Sequence, residues 1–445
     1  MFGEREKHSK LRLLLKHLVN SGLVSYIILH MTAQNKLQTL KGFRDFLPVE
    51  KRKRDWVTSK IIESFQSFGF EPIETPTLEY ASILMGKYGE EADKLIYNFE
   101  DRGKRNVGLR YDQTMPTARI LGQYSTQLPK YFRRYQIQNV FRAENTQKGR
   151  YREFTQCDCD IFGSNSPLAD AEILAVFYNA YKSLGLEITI RVNDRQSLFE
   201  AIKPYATKTV SVFSIIQSID KLDKLTEDEV MKELEGKSIA IEDTAAIVNA
   251  VKKIPLSDNI AQIMTYAISL GVPEDQIEFV PSLARGLDYY TGLIFEAIVP
   301  NCSGGSVGGG GRYDNLIKQL GGPEISAVGF AIGFDRTIEA LDALKLLPAF
   351  DATAQVLVTI FDEDLARTSA SLANILRTEG IRTELYPTSA DKFGKQMKYA
   401  DDKNIPFVII VGPDEAKENV VTLKDMKSGA ETKDTLSNLF KIIKK

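Results

Sequence analysis

The sequence predicts an α+β protein: a largely antiparallel sheet with flanking helices and a helical insertion, followed by a smaller α/β domain. Three observations carry that prediction. Strand-like runs between residues 106 and 299 far outnumber strand–helix–strand alternations, which disfavours a doubly wound parallel fold. Residues from about 196 to 275 show helical periodicity and no strand signal, as expected of a helical insertion. After Leu346-Leu-Pro348 strand and helix alternate, the pattern of a small α/β domain with a mostly parallel sheet over 353–445. At 445 residues the chain exceeds one hydrophobic core and fits two or three domains.

The first thirty residues stand apart. A basic, leucine-rich stretch from Lys10 to Leu18 leads into an apolar run from Leu23 to Leu29 that is too short to span a bilayer. It lacks a convincing small-residue cleavage site. Two readings remain, a weak organellar targeting segment or sequence upstream of a start at Met31. The second is preferred, which puts the main body at 31–348. From Glu50 to Phe68 the apolar residues Trp56, Ile61, Ile62, Phe65 and Phe68 recur at helical spacing, and Gly69 ends that helix. Glu71-Pro-Ile-Glu-Thr-Pro76 reads as an extended edge or interface segment, since proline cannot donate to a sheet ladder. Strands are expected over 106–110, 130–142, 153–162, 187–192, 277–280 and 293–299. In the tail, strands over 355–361, 382–386 and 407–411 alternate with helices over 365–379 and 393–403.

Composition removes several chemistries. A hydrophobic share of 43% and a charged share of 26% place the chain among globular proteins, and a net charge of −2 argues against a strongly basic nucleic-acid coat. Local patches can still meet nucleic acid. Three cysteines make no disulfide framework, so a reducing compartment is the simpler reading. All three histidines, His8, His17 and His30, precede the body. Ser-His-Asp and Cys-His mechanisms and His-ligated metals are therefore absent from it. The chemistry must run on Arg, Lys, Asp, Glu, Tyr or a carboxylate-held metal.

Five segments carry candidates. Arg285-Gly-Leu-Asp-Tyr-Tyr-Thr-Gly292 puts a cation and two phenols among the apolar residues Leu283, Leu287, Leu293 and Phe295, on an expected strand. Strand packing needs neither, and a buried arginine costs several kcal/mol unless it meets an anion. In Leu109-Arg-Tyr-Asp-Gln-Thr-Met-Pro116, Asp112 and Thr114 suit an ammonium group or simply make a turn. Phe141 to Gln156 pairs two strand-like runs around a polar loop carrying Lys148, Arg150 and Arg152, with Arg142 and Glu144 at its base. That is either a charged hairpin or a phosphate and nucleic-acid contact. Gln156, Asp158 and Asp160 share one strand face, with Cys157 and Cys159 on the other. Such a face is solvated or meets a ligand. Gly304 to Asp314 is a glycine run without the ending of a phosphate-binding P-loop; Ala327 to Arg336 reads as a small-residue strand entering a helix.

Together and in this order these segments resemble the class II aminoacyl-tRNA synthetases, specifically the histidyl-tRNA synthetase family. The Pro76 segment is similar to motif 1, Arg142 to Gln156 to motif 2, Gly329 to Arg336 to motif 3, and Arg285 to Gly292 to the histidine-specific signature. Phe393-Gly-Lys-Gln-Met-Lys-Tyr-Ala-Asp401 is similar to the characteristic helix of the anticodon-binding domain. The resemblance runs from about Leu40 to the C-terminus and leaves out residues 1–30.

It implies ATP-dependent ligation of L-histidine to tRNA(His) through histidyl-adenylate, with Mg2+ accompanying ATP. It also implies a homodimer and a cytoplasmic location without a membrane span. By resemblance Arg142 and Arg285 are catalytic, Arg142 holding the α-phosphate and the histidine carboxylate and Arg285 taking a part played elsewhere in the class by a metal. Glu144 and Arg336 complete the ATP set. Asp112, Thr114 and Gln156 hold the amino and carboxylate groups of histidine. Asp160 and Tyr290 take its imidazole nitrogens, with Tyr289 and Tyr313 in the same pocket. Gln147, Lys148 and Arg150 fall where the family meets the tRNA acceptor end. Asp112 and Asp160 are one methylene shorter than the glutamates common in bacterial members, which allows water-mediated contact. Asp288 gets no direct substrate role. A rival resemblance is the regulatory paralogue of ATP phosphoribosyltransferase, which generally lacks the anticodon domain and loses ATP-handling residues; Arg142, Arg285 and Arg336 are all retained here.

Overall fold

Pro48 opens helix α1 (Pro48–Ser67), where its missing N–H leaves no intrahelical bond unmade, and the helix buries Val57, Ile61 and Phe65. The computed structural model describes residues 37–85, 93–146, 149–285, 289–300, 302, 305–319, 321–350 and 352–444. The expected extension over 1–30 and the start at Met31 lie outside them. The chain divides into two compact units, the first ending at Leu346 and the second beginning at Leu347.

The first unit is built on an eight-stranded sheet. Its strands are β1 (Glu71–Pro72), β5 (Phe132–Phe141), β6 (Glu153–Phe162), β7 (Thr189–Asp194), β8 (Ile277–Phe279), β9 (Leu293–Ile298), β10 (Gly308–Arg312) and β11 (Ala327–Gly333). Their order is β1-β5-β6-β11-β10-β9-β7-β8, antiparallel except at the two edges, where β1 joins β5 and β8 joins β7 in parallel. Pro72 accordingly sits in an edge strand. A separate three-stranded sheet orders β2 (Leu78–Tyr80), β4 (Asn106–Leu109) and β3 (Asn98–Glu100).

Alternation along the strands sorts the two faces of the large sheet. Phe65 of α1 and Phe177 of helix α3 (Pro167–Ser183) meet Phe330, and Phe177 also meets Phe295. Cys159 is paired with Phe330, so both cysteines of β6 point into this apolar layer. The opposite face carries Gln156, Asp158 and Asp160. Within the glycine run Gly308–Arg312 form the central strand β10, and space dictates its composition. A Cβ on Gly308 would lie 2.5 Å from the Tyr181 hydroxyl on the helix side, and one on Gly309 would lie 3.1 Å from Arg285 Cζ on the other side.

Two expectations for the first unit need correction. Arg285, Tyr289 and Tyr290 do not lie on a strand: β9 begins at Leu293, and the segment before it is irregular where described, with Gly286, Leu287 and Asp288 outside the described residues. The described Tyr289 and Tyr290 pack instead into the apolar cluster that holds Ile294 and Tyr313. The helical run also splits. Helices α4 (Arg195–Ile202), α5 (Val212–Ile219), α6 (Glu227–Gly236) and α7 (Ile241–Lys252) share a core of Leu198, Ile215, Val230 and Ile247. Helix α8 (Asp258–Ser269), capped by Ser257, packs instead against α3. Each of these helices is amphipathic, so periodicity alone could not tell which neighbour it covers. Helix α2 (Thr114–Gln123) and helix α9 (Phe334–Ala343) complete the elements that matter for the site.

In the second unit β12 (Val356–Val358), β13 (Thr383–Leu385) and β14 (Phe407–Ile410) are parallel, with helices α10 (Glu363–Thr378), α11 (Phe393–Asp402) and α12 (Leu436–Ile443). The sheet is mixed rather than mostly parallel, because β15 (Val421–Asp425) and β16 (Glu431–Asp434) add an antiparallel hairpin. Exposed, charged β16 offers no hydrophobic alternation by which to recognise it.

Candidate active site

Register across the sheet assembles the site row by row. Arg134 on β5 faces Asp160, Gln136 faces Asp158, and Gln138 faces Gln156. Beyond β6 the same rows continue as Gly329, Ala331 and Gly333 on β11. They run on through Gly311 and Gly309 on β10 to Ile294 and Glu296 on β9. Directly opposed residues share a face. The sheet thus presents a floor of residues without bulk between a polar wall at β6 and Glu296. Above it lies a cavity of about 690 Å³.

The bare floor makes room for functional side chains. A Cβ on Gly329 would lie 1.8 Å from Asp160 Oδ1, and one on Gly311 would lie 2.8 Å from the Tyr290 ring. Gly329→Ala cannot relax by moving a flexible tip alone, since the Cys159 carbonyl also stands 2.7 Å away. We expect it to cost about 1–3 kcal/mol of stability and to weaken amino-acid binding more than ATP binding. Urea unfolding and separate KM values for the two substrates check this; an unchanged amino-acid KM would refute it.

Asp112, Thr114, Arg142, Glu144, Arg150, Gln156, Asp160, Arg285, Tyr289, Tyr290, Tyr313 and Arg336 all line this one cavity. Gln147 and Lys148 lie outside the described residues. Asp112 makes the turn that the sequence offered as one of its two readings: its Oδ1 accepts from the Met115 N–H at 3.2 Å, holding the turn into α2, and the residue also lines the cavity. Arg142, at the end of β5, donates from Nε to the Tyr111 carbonyl at 3.2 Å. Its guanidinium also lies over the rings of Tyr111 and Phe154, at 4.3 and 5.2 Å. Arg336, in the first turn of α9, donates to the Ser306 carbonyl at 2.9 Å. Arg150 reaches Glu144 only at 3.8 Å and is half exposed. Arg285 meets Glu296 at 3.3 Å. Tyr289 packs against Tyr290 and Tyr313 with ring centroids 4.8 and 5.7 Å apart, and the Tyr313 hydroxyl donates to Asp160.

Arg134 is fully buried beneath this wall, 2.6 Å from Asp160 and 4.0 Å from Asp158. Burial works against its charge, yet Asp160 and then Asp158 hold its pKa above the ordinary guanidinium value. Burial pushes Asp158 well above the usual carboxylate range and Asp160 above it, with Arg134 opposing both shifts. Burial likewise raises the Tyr290 phenol, with Arg285 opposing it. For Tyr313 burial and then Asp160 push the same way. Among the described residues Gln156 Oε1 and Asp158 Oδ1 are buried with no hydrogen-bond partner. A wall of acceptors with spare capacity and one shared cation fits a ligand rich in N–H groups.

Sequence reasoning passed over Arg134 and Glu296, and noted Asp158 only as part of a face. The alternation Arg134, Gln136, Gln138 on one expected strand was the available signal; its register with β6 was not.

The comparisons then decide the family. A family model of histidyl-tRNA synthetase matches residues 42–337, well over half the chain, and one of the anticodon-binding domain matches 355–445. The chain belongs to the histidyl-tRNA synthetase family. The histidine–tRNA ligase of Wolinella succinogenes is 42% identical over 420 residues, covering 88% of this chain and 94% of that protein. The histidine–tRNA ligase of Pyrococcus furiosus is 37% identical, covering 92% and 99%. The crystal structure of histidyl-tRNA synthetase from a Nostoc species superposes with a TM-score of 0.78 at 30% identity, covering 92% of this chain and 99% of that one. The family's α+β architecture is thus the one described above.

Proposed function

We propose that this cavity condenses L-histidine with ATP and that the chain passes the histidyl group to tRNA(His), acting as a histidine–tRNA ligase of class II. The observation that carries the reading is one cavity joining an acceptor-lined pocket to three arginines, Arg142, Arg285 and Arg336. In the first step a histidine carboxylate oxygen attacks the α-phosphorus of ATP. The bond to the bridging oxygen breaks, and pyrophosphate leaves. In the second, a hydroxyl of the terminal ribose attacks the histidyl carbonyl, and AMP leaves with the former carboxylate oxygen. Charge neutralisation and alignment supply most of such catalysis, which is work that arginines can do without a histidine.

Arg142, steadied by the Tyr111 carbonyl and ring, is suited to bridge the α-phosphate and the histidine carboxylate. Arg285 stands across the glycine floor and meets the charge developing on the α-phosphate. Arg336 stacks on adenine and reaches the terminal phosphate, with Glu144 on the adenine side. Asp112, Thr114 and Gln156 take the amino and carboxylate groups. Asp160 and Tyr290 take the imidazole nitrogens while Tyr289 and Tyr313 close the pocket; an oxygen of Asp160 that already accepts from Tyr313 retains a second lone pair. Rejection of other amino acids follows from leaving these buried groups unpaired.

Mg2+ fits as an ion carried in on the nucleotide phosphates. Among the described residues no cluster of three or more ligating side chains forms a resident site. Glu144 and Glu296 on the cavity wall are the carboxylates suited to an ion that keeps most of its water. When bound, the ion offsets phosphate charge. Gln147, Lys148 and Arg150 are assigned to the tRNA acceptor end and the second unit to the anticodon. For a homodimer the support is apolar. Tyr80 and Phe99 flank Val107 on one face of the three-stranded sheet, and both rings are exposed beside the Pro76 segment. Among the described residues no helix is long and apolar enough to cross a membrane; the cytoplasmic location rests on the family reading alone.

The test is histidine-dependent ATP–pyrophosphate exchange followed by charging of tRNA(His). Both are expected with histidine alone among the amino acids. Exchange with another amino acid, or with none, would overturn the assignment.

A further inference from the structure

Asp158 is the least satisfied charged group of the cavity wall. It is 4% exposed and lines the cavity, and its Oδ1 is buried with no hydrogen-bond partner among the described residues. Its row of the sheet offers none. Opposite on β5, the amide nitrogen of Gln136 is turned to Thr75 Oγ1 at 2.8 Å, and on β11 the facing residue is Ala331. Among the described residues the guanidinium in ion-pair range, Arg134, sits 4.0 Å from Asp158 but 2.6 Å from Asp160, so it is committed to the neighbour, and Arg142 acts on Asp158 only through its charge at longer range. Two buried carboxylates thus share one cation. An unpaired buried acceptor costs about 1–3 kcal/mol, and more when charged. Such a cost is offset when a ligand supplies the missing N–H.

We propose that Asp158 is a further histidine-contacting residue, its Oδ1 accepting from an N–H of the bound amino acid. This rests on the histidine-activating reading above. Two donors of histidine have the required chemistry, the α-ammonium and an imidazole N–H. Asp158 lies between Gln156, whose Oε1 is likewise without a partner, and Asp160. Arg134 is the positioning residue: it holds Asp160 and leaves Asp158 for the substrate.

The experiment uses the full chain with Asp158→Asn, which keeps shape and removes the charge. Steady-state exchange is expected to show the KM for histidine raised about 10- to 100-fold, the range of a lost hydrogen bond to a charged group. The KM for ATP is expected to stay within about 2-fold. Two inhibitors separate the donors: L-histidinol carries the amine and the ring, and 3-(imidazol-4-yl)propionate carries the ring alone. Weaker inhibition by histidinol only assigns the α-ammonium; weaker inhibition by both assigns the ring. Asp158→Ser gives a second reading where Asp158→Asn folds poorly. A histidine KM within about 2-fold of the parent in a normally melting variant, or equal rises in both KM values, overturns the proposal. Absence of exchange in the parent chain would instead defeat the underlying function.

Discussion

Arg285→Ala is expected to slow histidine-dependent exchange by about 10²- to 10³-fold while leaving histidine affinity within about 5-fold, as befits a charge that acts on the transition state. The side chain meets Glu296 at 3.3 Å and Tyr290, and its guanidinium borders the cavity above Gly309. Burial disfavours its charge, but Tyr290 and Glu296 hold the pKa above the ordinary guanidinium value, so it is cationic at any working pH. Removing it takes away positive charge where the α-phosphate gains negative charge, and it leaves Glu296 facing the same region. Both effects act on kcat rather than on the acceptor wall at β6. Arg285→Lys should recover only part of the rate, since a point charge lacks the guanidinium fork. Equilibrium titration of histidine set beside single-turnover exchange decides it. Equal losses in both would make Arg285 a binding or structural residue.

Much of this site was legible in the sequence because it is built from short-range patterns. Gln156, Asp158 and Asp160 alternate on a strand, and their common face needs only the two-residue period of β6. The small residues of β11 leading into Arg336 likewise read as a strand entering a helix. What stayed hidden depends on register between strands distant in the chain. Nothing local says that Arg134 sits opposite Asp160, or that Glu296 lies across two glycine strands from Asp158. The segment from Arg285 to Tyr290 misled for a related reason: apolar residues alternate through the sequence there as in a strand, while the described Tyr289 and Tyr290 pack into the cluster that holds Tyr313 and Ile294. A glycine strand gives no periodic signal because the absence of side chains is its function.

Arg134→Met carries the largest expected effect on stability. Arg134 is among the largest fully buried side chains of the molecule, and its partners are two carboxylates with raised pKa values. Breaking a buried pair by removing one member typically costs about 3–5 kcal/mol, because the remaining charge is left uncompensated. Here the cost should depend on pH in a defined sense. Burial lifts Asp158 and Asp160 above their unfolded values, and Arg134 is the group opposing that lift. Without it both rise further. A folded pKa above the unfolded one means that the native state binds more protons, so its stabilising contribution is present in acid and is lost as pH rises through the folded value. The destabilisation of Arg134→Met should therefore be smallest near the ordinary carboxylate range, about pH 4, and grow as pH rises through the raised folded values of the two carboxylates. Adding Asp158→Asn should restore part of it at pH values above those folded values, since one of the two uncompensated charges is then gone. Urea midpoints across that range, for the single and double variants, measure the effect. A loss independent of pH and unrelieved by the second change would mean that Arg134 fills space beneath the site rather than balancing its charge.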